Sequence, residues 1–273
     1  MKKVRKAVIP VAGLGTRFLP VTKSIPKEML PIVDIPTIEY IVDEAVASGI
    51  EEILFITSPY KKALEDHFDI FFELEKRLEE SHKEKELEMV RAIPRKCRFY
   101  YLRQGEPRGS GHAVNFAKSF VADEPFAVMY GDDVMYYEGK KPVLKQLMEV
   151  YEKYNANVIG VQNVDPSDVH KYGIIKYSDK KTGKIETIVE KPKVEDAPST
   201  SAGLGRYIVN SSIFDILQDL KAGIGNEIQF TDAMKELMKK EPFYACEFDG
   251  EYFDVGSKIG YLKANINYAL DRP

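Results

Sequence analysis

An apolar run that breaks into glycines fixes how this chain can begin to fold. Ala7-Val8-Ile9-Pro10-Val11 is β-like, and it opens into Gly13-Leu14-Gly15-Thr16-Arg17. Lys23 and Lys27 follow, then a second apolar step, Met29-Leu30-Pro31. A strand that ends in glycines brings bare backbone N–H groups to the carboxyl edge of a sheet, where open α/β sheets bind ligands. Glycines let the backbone approach a phosphate closely, and Arg17 and Lys27 add charge of the sign a polyphosphate needs. The stretch reads as a nucleotide-phosphate grip. It is neither of the two commoner glycine motifs. Phe18 stands where the dinucleotide fingerprint needs its third glycine, and the Walker pattern is absent from the chain.

The rest of the chain supplies the sheet that such a loop requires. Pro36 to Ser48 carries an apolar stripe at Ile38, Ile41, Val42, Ala45 and Val46, with Gly49 as a C-terminal stop. Ile53-Leu54-Phe55-Ile56 suits a buried parallel strand. Helical period continues from Tyr60 to about Glu80, and Ser81 to Glu86 is too polar for a core. Cys97 to Leu102 predicts a strand that ends in a second glycine-rich loop, Arg103 to Gly111, before a helix from His112 to Phe120. Pro125 to Tyr130 is a further strand and ends in Gly131-Asp132-Asp133. Strands ending in glycine, amide or carboxylate loops argue for one site at one sheet edge.

The second half changes character. Val158 to Val161, Gly173 to Tyr177 and Ile185 to Val189 predict strands, the last two joined by a hairpin turn at Asp179 to Gly183. Glu190-Lys191-Pro192 closes that hairpin, and Gly205 to Asn210 continues the sheet. Ser211 to Leu220, Asp232 to Lys240 and Ser257 to Leu270 predict helices. No internal period of repeat length is present, so a β-helix tail is not expected. The expected fold is α/β: a Rossmann-like, doubly wound mixed sheet flanked by helices, with a smaller β-hairpin and helix part. One domain spans 1–273, in two halves that divide at about residue 135.

Composition narrows the partners. A net charge of −4 gives no basic field for nucleic acid, so phosphate affinity has to be local. Cys97 and Cys246 lack metal or redox spacing, and His67, His82, His112 and His170 form no zinc pattern. The basic start, Met1 to Lys6, mimics a secretory signal, but Pro10 and Gly13 interrupt the apolar part and no cleavage site follows. No membrane span is expected, and the expected compartment is the cytoplasm.

The segment from Gly13 to Pro36, GLGTRFLPVTKSIPKEMLPIVDIP, resembles the signature of the sugar-1-phosphate nucleotidyltransferases. Its PKEMLP form is similar to that of the uridylyltransferase branch rather than the SKQLLP-like form of thymidylyl relatives. The resemblance continues in order through Arg103-Gln104-Gly105, Gly109 to Ala113, Gly131-Asp132-Asp133, Val189 to Pro192, Gly225 to Asp232 and Phe253 to Gly256. It implies transfer of UMP from UTP to α-D-glucose 1-phosphate with Mg²⁺, by in-line attack on the α-phosphorus. It also implies a nucleotide-binding half over about 1–135, a sugar-phosphate-binding half over about 136–273, and a homodimer or homotetramer.

Such chemistry needs no protein nucleophile, because the attacker is already an anion; it needs two polyanions held together and charge stabilised. The resemblance assigns Ala12, Gly13 and Gly15 to backbone contacts with the nucleotide, Arg17 to the departing phosphates, and Lys27 to the α-phosphate. Gln104 and Gly109 would read the base, with Glu28 nearby. Gly173, Glu190 and Lys191 would take the sugar and its phosphate. Asp132 and Asp254 would bind the metal, with Asp133 as the alternative to Asp132. Without the resemblance, Asp132-Asp133 is a turn or cap, Gln104 a loop amide, and Glu190-Lys191-Pro192 a polar loop start. His112 is read as capping or packing its helix, outside the site. The rivals are a nucleotidyltransferase for another base or sugar and a non-catalytic sugar-nucleotide sensor. Retention of Arg17, Lys27, Asp132, Lys191 and Asp254 argues against the sensor.

Overall fold

The computed structural model describes residues 2–137, 139–223 and 226–271. Its strands in chain order are β1 (Lys6–Pro10), β2 (Pro31–Ile32), β3 (Ile35–Pro36), β4 (Glu52–Thr57), β5 (Arg98–Arg103), β6 (Phe126–Met129), β7 (Asp133–Tyr136), β8 (Asn157–Asn163), β9 (Gly173–Asp179), β10 (Lys184–Glu190), β11 (Ser201–Val209), β12 (Phe243–Glu247) and β13 (Glu251–Asp254). One nine-stranded sheet runs in the order β5-β4-β1-β6-β11-β8-β12-β10-β9. β5, β4, β1 and β6 are parallel, β11 runs against β6 and β8, and β12 is parallel to β8.

Alternation along the parallel strands builds two cores. Ala7, Ile9, Ile53, Phe55, Ala127 and Met129 face one, packed by Ile38, Ile41, Val42 and Ala45 of the helix Thr37–Ser48. Val8, Leu54, Ile56, Phe126 and Val128 face the other, packed by Val114, Phe214, Phe230 and Met234. Each fully buried side chain of this kind contributes roughly 1.5–3 kcal/mol of transfer free energy, so both faces of the sheet must be covered. Gly49 stops the first helix as expected, at φ 101°.

β11 is the strand that joins the halves. Its C-terminal part, Arg206 to Val209, pairs with β6, whereas Ala202 and Gly203 pair on the same edge with β9. β6 ends and β9 begins over the short stretch between, where Gly205 adopts φ +49°. A Cβ at Gly205 would lie 2.0 Å from Asp133 Oδ2, so only glycine fits. Beneath it the fully buried Arg206 donates to Glu44 Oε2 (2.7 Å), to the Asp133 carbonyl (2.9 Å) and to the Gly205 carbonyl (3.0 Å).

Several element boundaries depart from expectation. The helix read through Tyr60 to Glu80 is two, Lys62–His67 and Phe72–Glu80, and the polar stretch after it turns at His82 into a third, Glu84–Ala92. Of the apolar series that gives the helical period, Leu64, Phe68, Phe71, Leu74 and Leu78, only Leu64 and Phe68 are buried in the core; Phe71 is exposed. The helix expected from His112 to Phe120 is split into Ser110–Asn115 and Lys118–Val121. The one expected from Ser211 is confined to Ile213–Leu217. Ser257 does cap the last helix, accepting from the Gly260 N–H. Gly225 of the Gly225–Asp232 motif lies outside the described residues. Among the described residues no helix is long and apolar enough to cross a membrane.

Candidate active site

Two cavities meet at the sheet edge where β1, β6 and β9 end or begin. The first, of about 490 Å³, is lined by Arg17, Asp132, Gly173, Glu190, Lys191 and Asp254 among others. The second, of about 310 Å³, is lined by Ala12, Gly13, Lys27, Glu28, Gln104 and Gly109 among others. Ser110, Tyr130 and Asp132 belong to both walls. Every residue expected in the site lines one cavity or the other, except Gly15. That glycine lies behind the loop at φ +67°, where a Cβ would press on Lys27 Cβ at 3.2 Å. Thr22 Oγ1 donates to its carbonyl at 2.8 Å, so Gly15 shapes the loop that carries Arg17 and Lys27.

The charges concentrate around Asp132. Lys27 Nζ lies 2.6 Å from Asp132 Oδ2, and Arg17 Nη2 lies 3.6 Å from the same oxygen. Arg17 Nη1 stands 3.9 Å from Asp254 Oδ2. β7 and β13 form a two-stranded ribbon in which Asp133 is paired with Asp254, and the Val255 N–H donates to the Asp132 carbonyl at 3.0 Å. That register sets the two carboxylates side by side. A Cβ on Gly256 would meet Asp132 Oδ2 at 2.6 Å and Asp254 Oδ1 at 3.0 Å.

Burial and charge divide these groups by protonation. Burial opposes ionisation of Asp132, but Lys27 outweighs it and holds the carboxyl below its usual range. Burial also opposes the Lys27 ammonium, and Asp132 and Glu28 hold it above normal. For Asp133 the balance goes the other way: burial, then the neighbouring Asp132, pushes it up to about 7, although Tyr252 Oη donates to its Oδ1 at 2.8 Å and the Arg206 guanidinium opposes the rise. Burial raises Asp254 as well. Asp132 Oδ2 and Asp254 Oδ1 lie within 2.6 and 3.0 Å of one point beside Gly256, two hard oxygen donors of the kind that fits a divalent ion. Among the described residues no three His, Cys, Asp or Glu side chains gather as a metal cage, so phosphate and water would have to complete the coordination.

On the β9 side, Glu190 Oε2 accepts from Thr231 Oγ1 at 2.8 Å, and Lys191 Nζ lies 3.6 Å from Glu190 Oε1. Lys191 sits at φ 44°, a conformation a non-glycine residue adopts only when its surroundings impose it; the Tyr172 carbonyl accepts from its N–H at 2.9 Å. A Cβ on Gly173 would strike Ile188 Cδ1 at 2.9 Å and approach Glu190 Oε2 at 3.3 Å. At the second cavity the Gln104 N–H donates to the Thr57 carbonyl at 2.8 Å. Gly109, at φ +101°, lies so close to Ile228 that a Cβ would stand 2.5 Å from its carbonyl oxygen. The Gly111 N–H donates to that oxygen at 2.8 Å, so residues 227–229 hold the second loop in place.

Sequence reasoning missed several participants. Lys61 is buried and paired with Glu28 (2.5 Å), leaving Glu28 Oε1 buried and unpartnered. Burial raises the Glu28 carboxyl and lowers the Lys61 ammonium. Tyr130, Tyr172, Tyr207 and Tyr252 wall the first cavity, and none was singled out from the sequence. His112, set aside as packing, accepts from Gln104 Nε2 through Nδ1 at 2.7 Å.

Likeness to known proteins runs the length of the chain. The sequence matches the Nucleotidyl transferase family over residues 6–270. It is similar to the UTP–glucose-1-phosphate uridylyltransferase YngB of Bacillus subtilis (strain 168), 53% identical over 274 residues covering 100% of this chain and 92% of that one. A UTP–glucose-1-phosphate uridylyltransferase of Staphylococcus epidermidis is 50% identical over 275 residues, covering 100% of this chain and 95% of the other. The structure of UDP-glucose pyrophosphorylase complexed with UDP-glucose superposes with a TM-score of 0.90 at 42% identity, covering 98% of this chain and 100% of that one. UTP-bound UGPase from Acinetobacter baumannii superposes at 0.92 with 40% identity, covering 99% and 95%. Fold, motif order and full-length identity agree, and the chain belongs to the nucleotidyl transferase family.

Proposed function

We propose that this protein transfers UMP from UTP to α-D-glucose 1-phosphate, giving UDP-glucose and pyrophosphate. The observation that carries the reading is the meeting of the two cavities at Asp132, with a base-sized, amide-walled space on one side and a carboxylate- and lysine-lined space on the other. A phosphate oxygen of glucose 1-phosphate forms the new bond to the α-phosphorus. The bond from that phosphorus to the bridging oxygen of the β-phosphate breaks, and pyrophosphate carries the electron pair away. No proton has to move. The first half would serve the nucleotide and the second the sugar phosphate.

The chain's own residues then do positioning and charge work. Ala12, Gly13 and Gly109 offer backbone to the nucleoside, and Gln104 reads the uracil edge. Lys27 holds the α-phosphate, and Arg17 the leaving phosphates. Lys191 carries the sugar phosphate while Glu190 and Gly173 take the sugar hydroxyls. Mg²⁺ held by Asp132 and Asp254 would neutralise charge building on the phosphates. An exposed apolar row on the helix Lys258–Leu270, at Ile259, Leu262, Ile266 and Leu270, supports assembly as a homodimer or homotetramer. Cys97 and Cys246 are free thiols, which suits the reducing cytoplasm.

A panel crossing the four ribonucleoside triphosphates with glucose, galactose and mannose 1-phosphates tests the reading. UTP with glucose 1-phosphate should give the highest kcat/KM, EDTA should abolish turnover, and Mg²⁺ should restore it. A preference for another base or sugar, or full activity in chelator, would refute the corresponding assignment.

A further inference from the structure

Gln104 is a symmetric-looking reader with two unlike faces. Its amide carries an acceptor and a donor group on one plane, and a half-turn about the last side-chain bond exchanges them. Something other than the base has to decide which face is presented. Gln104 is buried, with its backbone fixed on Thr57, so the decision lies with the side chain's own partner. That partner is His112: Gln104 Nε2 donates to Nδ1 at 2.7 Å. An imidazole that accepts at Nδ1 is neutral and carries its proton on Nε2. Gln104 Oε1 has no protein partner among the described residues and is left as the acceptor at the wall of the second cavity.

We infer that His112 is a positioning residue that selects which face of the Gln104 amide meets the base, and so sets the preference for UTP over CTP. The inference rests on the uridylyl reading above. Uracil presents a donor at N3, which Oε1 can accept. Cytosine presents a lone pair at N3, which would oppose Oε1 and leave it unpaired. Protonating His112 places a proton on Nδ1, which can no longer accept. The amide then turns, gives Oε1 to the imidazolium and offers its NH₂ to the base, the face cytosine needs.

The surroundings keep the imidazole neutral. Burial first, then Arg108, hold His112 below its usual range, and Glu106 opposes this only weakly. Arg108 and Glu106 pair with each other at 2.5 Å on the loop. The facing segment supplies the Ile228 carbonyl to the His112 N–H at 3.4 Å, and Glu227 there is engaged by Gln229. On its own helix His112 meets Phe116 edge-on, ring centroids 5.2 Å apart.

The test is the ratio of kcat/KM for UTP to that for CTP, from about pH 5.5 to about pH 8, which brackets histidine titration. The ratio cancels triphosphate ionisation and every group that serves both substrates alike. Wild type, His112→Phe and Gln104→Ala are compared; phenylalanine keeps the ring against Phe116 and removes the acceptor. The wild-type ratio should hold at neutral pH and fall in acid. His112→Phe should fall at every pH toward the Gln104→Ala value, by about two- to tenfold for one hydrogen bond, and lose the pH dependence. A wild-type ratio and pH profile in His112→Phe would overturn the inference while the base reading stands. A wild-type ratio in Gln104→Ala would overturn the base reading and the inference together. Nitrogen-15 NMR of the nucleotide-bound wild type decides it without a variant: the Nε2–H tautomer at His112 is expected, and the Nδ1–H tautomer excludes it.

Discussion

The two cavities solve different problems with different materials. The first is walled by long charged and aromatic side chains: Arg17, Lys191, three aspartates and four tyrosines. The second sets small residues and backbone, Pro10 to Gly13, Pro107, Gly109 and Ala113, and one amide beside a charged end formed by Lys27, Glu28, Asp132 and Glu227. Handling polyphosphate charge needs opposed ionised groups: Lys27 holds Asp132 down against burial, while burial first, then the neighbouring Asp132, raises Asp133, and burial raises Asp254. Selecting a flat base needs close approach and fixed hydrogen-bond polarity, which glycines and a held amide give without net charge. Substitutions among the charged groups should therefore act on rate, and those at the glycines and the amide on choice.

That division can be broken by measurement. Asp254→Asn should have the largest effect, lowering kcat by at least about 10²–10³ while calorimetry finds UTP still bound through Arg17 and Lys27. Equal losses in binding and turnover would erase the distinction. Lys191→Ala should come next, with about a 10²-fold fall in rate and a higher KM for glucose 1-phosphate at unchanged UTP affinity. A collapse of UTP binding would move Lys191 to the other substrate. Gln104→Ala should leave kcat with UTP nearly intact and narrow the UTP-over-CTP preference by about tenfold, the worth of one buried partner. The smallest effect belongs far from both cavities. Arg5, then Lys6, lowers the Glu124 carboxyl to about 2, so its stabilisation is present above the unfolded value and is lost as pH falls through about 2. Glu124→Gln should cost about 1 kcal/mol at neutral pH and progressively less as pH falls toward about 2, read by denaturant unfolding, with both KM values unchanged.

How much of this was legible in the sequence depended on whether a residue acts through the chain beside it or across the fold. The glycine loop announces itself because strand, turn and charge are contiguous, and β1, β4, β5 and β6 fall where apolar runs end in loops. The hairpin β9–β10 is equally local. Lys61 was invisible because its partner, Glu28, is remote in sequence and only folding buries the two together. His112 was visible and does pack, edge-on against Phe116, but nothing local shows that its ring also meets Gln104. The long helix read through Tyr60 to Glu80 failed because Phe68 turns into the core and Phe71 does not. Arg206 carried the one unread signal, a charge inside the apolar run of β11 that implies a buried counterion, supplied by Glu44.

The dual pairing of β11 has an engineering consequence. Hybrid enzymes are built by joining the front of one relative to the back of another, and a junction near residue 136 looks natural here. Yet β11, made by the rear segment, is the strand on which β6 of the front segment leans, through Arg206 opposite Met129 and Tyr207 opposite Val128. The same strand seats β9 two residues before Gly205. A hybrid therefore inherits a seam running through the reaction centre. Donor specificity and acceptor specificity cannot be shuffled as cassettes unless residues 126–133 and 201–209 travel together.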